Sequence, residues 1–296
     1  MRSGKDDTRN IAGRTIAITG AARGIGYATA RELLRRGARV VIGDRDVAMA
    51  GAAVAELGRL GPVSGYPLDV SDYDSFAEFL DKARGDGGGR IDVLINNAGV
   101  MPIGPFLDHT EAAVRSAVEV NFYGVLNGCR LVLPEMVRRG SGQIVNIASL
   151  AGVYAVPGQA LYAGTKFAVV GLTSALADEF APKGVHITCV MPTFTNTELI
   201  SGTRTGAMTR PVEPEDVAAA VVKSLQSRRT AAAVPYGLRY VASAIAFLPP
   251  RARRFLHAAM GTDTVFLDFD PVARAGYEQR AQSAIGVLEE GDGRSA

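Results

Sequence analysis

The sequence predicts an α/β protein built on a doubly wound, seven-stranded, mainly parallel sheet with helices on both faces. Short Val/Ile-rich runs alternate with amphipathic stretches from residue 14 to about residue 235. Continuous apolar strands separated by helices belong to parallel sheets that are covered on both sides. A glycine-rich turn sits between the first apolar run and the first amphipathic stretch. Glycine, at 34 of 296 residues, is frequent enough to serve many tight strand–helix turns.

The elements follow in order. Arg14–Thr19 is the first apolar run and reads as a strand, and Gly24–Arg36 is the helix that the glycines open. Ala38–Gly43 and Asp46–Leu60 form the next strand and helix, then Pro62–Leu68 and Ser71–Arg84. Ile91–Ile95 is a fourth strand. A long helical stretch, Glu111 to Arg138, contains Pro134, where a bend or step is expected. Ser141–Ala148 is a fifth strand, Gly158–Ala181 a helix and Val185–Val190 a sixth strand. Pro214–Ser227 is a helix opened by a proline in its first turn, with acids nearby. Ala231–Val234 supplies a seventh strand. The pattern reads as one domain over 12–235 with a helical extension over 236–288, a disordered arm over 1–11 and a disordered tail over 289–296.

Composition excludes several classes. The formal net charge of +2 is too small for a nucleic-acid-binding surface. Cys129 and Cys189 sit among apolar residues and read as buried free thiols, which fits a reducing cytoplasm. The polar first ten residues show no signal-peptide core, and no run approaches the roughly 18 apolar residues of a membrane span. His109, His186 and His257 are scattered, with no metal-ligand spacing, so no metal site is expected.

The turn Thr19-Gly20-Ala21-Ala22-Arg23-Gly24-Ile25-Gly26 follows a strand and opens a helix. Missing side chains let backbone approach a pyrophosphate, and the helix N-terminus offers free N–H groups and a positive dipole end. Asp44 ends the second strand, where a carboxylate can bond ribose hydroxyls and repel a 2′-phosphate. Arg23 and Arg45 pull the other way, since a guanidinium binds phosphate bidentately. NAD is favoured, with NADP as the alternative.

These residues, with others downstream, resemble the short-chain dehydrogenase/reductase family over roughly residues 12 to 230. Thr19–Gly26 is similar to the family's T-G-x-x-x-G-x-G turn, Asp69-Val70 to its adenine-contacting pair and Asn96-Asn97-Ala98-Gly99 to its N-N-A-G motif. Asn121, Ser149, Tyr162 and Lys166 fall where the family keeps its catalytic tetrad. The resemblance implies a Rossmann-type fold. It further implies that Lys166 holds the nicotinamide ribose, that Asn121 anchors a water linking the lysine to solvent, and that Thr197 lies near the carboxamide. Asn97 and Gly99, with Ala98 between them, read as backbone-shaping residues beside the cofactor. The chain departs from the family at Pro192-Thr193, where Pro-Gly is usual, which puts the local geometry beside the nicotinamide in question.

Tyr162 and Lys166 are four apart on a predicted helix and share a face. An ammonium beside a phenol favours the phenolate, and moving a pKa from 10 towards 7 takes about 4 kcal/mol. Tyr162 would then exchange a proton with an alcohol or carbonyl oxygen while Ser149 steadies that oxygen's charge. Taken singly, Ser149 reads equally as a helix cap, Tyr162 as a core aromatic and Asn121 as an amide bonded to backbone. In this order, beside a cofactor turn, they imply hydride transfer between a nicotinamide and a secondary alcohol or ketone. Val153, Tyr154, Val156 and Pro157 make the expected pocket wall apolar, which suits a lipid-, retinoid- or steroid-like substrate. The rival from another class is a catalytically degenerate dinucleotide-sensing protein; an epimerase or dehydratase ranks lower.

Glu198 to Pro211, with Gly202 and Gly206, is the expected substrate lid. Between Arg228 and Thr262 there are six Arg and no acid, beside the apolar segment Tyr240–Leu248. That segment packs as a plain helix, covers the pocket entrance, or touches an anionic membrane at its periphery. Homodimer or homotetramer assembly is expected from the family resemblance.

Overall fold

The computed structural model describes residues 10–203 and 211–283. Seven strands run in the chain: β1 (Thr15–Thr19), β2 (Arg39–Asp44), β3 (Val63–Pro67), β4 (Val93–Asn96), β5 (Gly142–Ile147), β6 (Val185–Pro192) and β7 (Ala231–Val234). They form one sheet in the order β3-β2-β1-β4-β5-β6-β7, and every neighbouring pair is parallel. The helices are α1 (Gly24–Arg35), α2 (Val47–Leu57), α3 (Tyr73–Asp86), α4 (Glu111–Val118), α5 (Gly124–Arg139), α6 (Ala160–Phe180), α7 (Pro214–Ser227), α8 (Leu238–Ala246), α9 (Pro250–Met260) and α10 (Pro271–Ser283).

Strand side chains alternate between faces, so each strand feeds two cores. Ile16 and Ile18 of β1 join Leu33 and Leu34 of α1 and Val217, Val221 and Leu225 of α7. Ala17, between them, joins Phe76 and Phe79 of α3, Met136 of α5 and Val169 of α6 on the opposite side. Each large side chain so buried contributes about 1.5–3 kcal/mol of transfer free energy. Local signals agree with the packing. Asp46 and Asp72 cap α2 and α3 by accepting from backbone amides of their first turns, and α7 opens on a reciprocal capping box between Glu213 and Asp216.

The winding reverses after β3. The chain crosses back to place β4 against β1 on the side away from β2. Connections therefore diverge from the carboxyl ends of β1 and β4, and the crevice they leave is where doubly wound sheets take ligands.

Three expectations are revised. The stretch Glu111–Arg138 is not one helix that bends at Pro134. It breaks earlier, into α4 and α5, through a widened π-helical turn over Glu119–Tyr123, while Pro134 lies inside α5. The ordered chain also begins before residue 12, because Ile11 is buried in the core formed with α1. Helix α6 and the turn after it, Ala160–Lys183, are long and apolar enough to cross a membrane. Here Val169, Thr173 and Ala177 are instead buried, and Thr173 accepts a hydrogen bond from Asn146 of β5. The expected tail over 289–296 and residues 284–288 of the extension lie outside the described residues, as do residues 1–9 of the arm and 204–210 of the lid.

Candidate active site

A cavity of about 970 Å³ opens at the carboxyl ends of the strands, between the glycine turn and the C-terminal helices. Of the catalytic and cofactor-binding residues expected from the sequence, all but Gly26 and Asn121 line it. Those two lie behind the wall and shape it.

The glycine turn is tightly built. Gly20 has φ +63°, and a Cβ there would lie 2.7 Å from the Ala98 Cα. A Cβ on Gly26 would lie 2.5 Å from the Gly20 carbonyl oxygen. Thr19 and Asn97 lock the turn to the loop after β4. The Thr19 hydroxyl accepts from the amides of Asn97 and Ala98 at 3.0 Å, and Asn97 Nδ2 donates to the carbonyls of Thr19 and Gly20. The first turn of α1 carries no acid and its N-cap, Arg23, makes no side-chain cap. Its amides and dipole end are thus available to an anion, which fits the pyrophosphate of a dinucleotide.

At the next strand end, the Asp44 carboxylate accepts from the Ala22 amide at 3.0 Å and the Asp46 amide at 3.1 Å. It braces the turn while lining the cavity. Both arginines weighed as phosphate ligands have carboxylate neighbours: Arg23 lies 3.3 Å from Glu198, and Arg45 lies 3.7 Å from Asp69. Asp69 also accepts from the amide and hydroxyl of Ser71. Val70 packs against Gly124.

Ser149 and Tyr162 stand farther along the cavity. The Ser149 hydroxyl accepts from the Ala151 amide and donates to the Pro192 carbonyl at 3.4 Å. It is thus both the cap of a short helical turn and a polar group of the wall. Tyr162 is 7% exposed and Lys166 4%. Burial pushes the Tyr162 phenol up to about 12, only partly offset by the nearby Ser149 hydroxyl. Burial likewise pulls Lys166 down to about 8. This reverses the expected acidified phenol. Lys166 Nζ donates to the Ile147 carbonyl at 3.1 Å and lies 5.5 Å from the Tyr162 ring centre, so desolvation outweighs the attraction between them.

Asn121 is fully buried behind this wall. The widened turn aims its amide inward, where Oδ1 accepts from the Val100 amide at 2.8 Å. Nδ2 donates to the Val100 carbonyl and to the Thr165 hydroxyl. Both amide hydrogens are spent on protein, so the side chain ties the β4 loop to α6.

The remaining wall is mostly apolar. Tyr154 and Val156 line the cavity as the sequence suggested, whereas Val153 and Pro157 do not. Thr193 and Thr197 line it too, and the Thr193 amide donates to the Val234 carbonyl. The C-terminal extension completes the wall with Leu238 and Ile245 of α8, Phe266 of the turn after α9 and Tyr277 of α10; of these the sequence reading had reached only Ile245, within the segment expected at the entrance. α10 is anchored by Arg274, 0% exposed. Its guanidinium donates to the carbonyls of Leu199, Ser201 and Met101. One turn on, the Tyr277 hydroxyl accepts from the Met101 amide at 2.7 Å. α10 therefore straps the loop after β4 to the loop after β6. The one sequence signal for this is the spacing of Arg274, Tyr277 and Glu278, which share a helix face.

Residues 14–207 match the family model described as short chain dehydrogenase. The chain is 36% identical over 222 residues to Oxidoreductase UcpA of Escherichia coli, covering 75% of this chain and 83% of that one. It is 37% identical over 190 residues to 3-oxoacyl-[acyl-carrier-protein] reductase FabG of Thermotoga maritima, covering 64% and 77%. Among solved structures, a short chain dehydrogenase/reductase from Burkholderia phymatum in complex with NAD superposes with a TM-score of 0.69 at 26% identity, over 76% of this chain and 89% of that one. Levodione reductase superposes at 0.68 with 30% identity, over 73% and 91%.

Proposed function

The chain belongs to the short-chain dehydrogenase family, and from that premise we propose that it moves hydride between a nicotinamide and the oxygen-bearing carbon of an apolar secondary alcohol or ketone. It is an NAD(P)-dependent oxidoreductase. The bound nicotinamide dinucleotide supplies the hydride donor or acceptor. Gly20, Arg23, Gly24, Ile25 and Gly26 would hold its pyrophosphate end, with Asp44, Arg45, Asp69 and Val70 around the adenosine. Asn97, Ala98, Gly99, Pro192, Thr193 and Thr197 would flank the nicotinamide end. NAD is the favoured form, because Asp44 stands at the end of β2 and the nearby arginines already face carboxylates.

Tyr162 gives its proton to the substrate oxygen in reduction and takes it back in oxidation. Ser149 donates a hydrogen bond to the same oxygen, and Lys166 offsets the charge left on the phenol. Asn121 holds the loop that carries Val100 and so positions the wall opposite. The apolar substrate class is supported by the wall itself, where Val156, Leu238, Ile245 and Phe266 line the same cavity as Ser149 and Tyr162.

The observation that carries the reading is Ser149, the buried Tyr162 and Lys166 lining one cavity that begins at an uncapped glycine-turn helix. Steady-state turnover of an apolar ketone panel with NADH and NADPH tests it. Tyr162→Phe should lower kcat/KM by about 10²–10⁴-fold while keeping the parent's melting temperature. A Phe variant as active as the parent removes the mechanism. Tight cofactor binding without turnover of any ketone would return the chain to the dinucleotide-sensing reading.

A further inference from the structure

We propose that α8 and the start of α9 form a docking surface for an anionic membrane. α8 uses its two sides differently. Leu238, Val241, Ala242 and Ile245 line the main cavity, while Tyr240, Ala244 and Phe247, at helical spacing, face solvent. Phe247 is 91% exposed and, past the Pro249-Pro250 turn, Phe255 of α9 is 73% exposed. Single exposed aromatics are ordinary on protein surfaces. Here Tyr236, Tyr240, Phe247 and Phe255 fall within one short stretch of chain and account for four of the 15 exposed large apolar residues among those described.

Charge selects the occupant. The stretch from Arg228 to Thr262 holds six Arg and no Asp or Glu, in a chain whose net charge is only +2. Arg239, Arg251, Arg253 and Arg254 have no carboxylate partner among the described residues. Arg239 lies 5.0 Å from the Tyr240 ring instead. Aromatic rings at the headgroup level, flanked by guanidinium groups, are what an anionic lipid surface accepts. A second copy paired through the same face would bring two cationic patches together, which disfavours self-association there. The α8 part of the patch is the outer side of the cavity wall, so docking would set the cavity beside the acyl region. That last link alone rests on the proposed apolar substrate.

Sedimentation of the full chain with phosphatidylcholine vesicles, with and without phosphatidylglycerol, tests the proposal without cofactor or substrate. Binding should be at least about tenfold tighter with the anionic lipid and weaken as salt is raised. The triple variant Phe247→Ser, Arg251→Glu, Arg254→Glu should fall to the level on neutral vesicles while keeping its melting temperature and its turnover of a soluble ketone. Equal binding to both vesicle types, or none to either, overturns the proposal. So does a triple variant that binds like the parent, or one whose only change is loss of an oligomer. Failure here leaves the catalytic reading standing, and an inactive protein that still binds anionic vesicles leaves this one standing.

Discussion

Tyr162 and Lys166 show how burial divides two groups that the sequence places side by side. Each resists its charged form, so the phenol rises to about 12 and the ammonium falls to about 8. Around neutral pH the phenol then keeps its proton, the form that a carbonyl reduction consumes. The sign of the pH dependence follows. Tyr162 stays competent through the alkaline range, whereas the positive charge on Lys166 is present below about pH 8 and lost above it. For reduction, kcat/KM should stay level near neutrality and fall above about pH 8, and Lys166→Arg should move the falling limb upward whatever its absolute rate. A limb unmoved in that variant would assign it to another group. The four-residue spacing made the pair legible in the sequence. The direction of the lysine did not, because nothing in a linear pattern shows that Nζ finds the Ile147 carbonyl.

The glycine turn and α10 mark the two extremes of legibility among the elements. Thr19–Gly26 was readable because close backbone contact admits only glycine at Gly20 and Gly26, a constraint written directly into residue type. α10 was not readable as a wall of the site, because its role depends on long-range anchors. Arg274 reaches Leu199, Ser201 and Met101, between 73 and 173 residues away in sequence. Hydrogen bonds to a charged group contribute about 1.5–3 kcal/mol each at best, and their loss strands buried carbonyls. Arg274→Met should therefore lower the melting temperature, speed amide exchange in α10 and raise KM more than it lowers kcat. Unchanged α10 protection in that variant would show that the strap is held by something else. At the start of the expected lid, the Gly202 carbonyl accepts from the Asp270 amide just before α10.

At the scale of the whole molecule, the covered, mainly parallel sheet followed from the alternation of apolar runs and helices, whereas the strand order is read from the structure. The C-terminal extension followed from none of these rules. The family model ends at residue 207, and α8, α9 and α10 lie beyond it, closing the cavity with residues that sheet topology does not constrain. Ligand linkage gives a global test of the cofactor assignment. A ligand at 100 times its Kd stabilises the folded state by about 2.7 kcal/mol, which in a domain of this size is several degrees in Tm. NADH should raise Tm more than NADPH at equal concentration, and Asp44→Ser should narrow the gap. A larger NADPH shift in the parent would reverse the cofactor preference.

The bulged turn at Glu119–Tyr123 carries one backbone unit more than an ordinary helical turn. The cylinders on either side can keep a common axis whether that unit is there or not. Excising a single codon within 119–123 would thus spare the scaffold and swing Asn121 off its grip on Val100 and Thr165. Descent can discard this brace in one step, with no rebuilding of the helix pair around it.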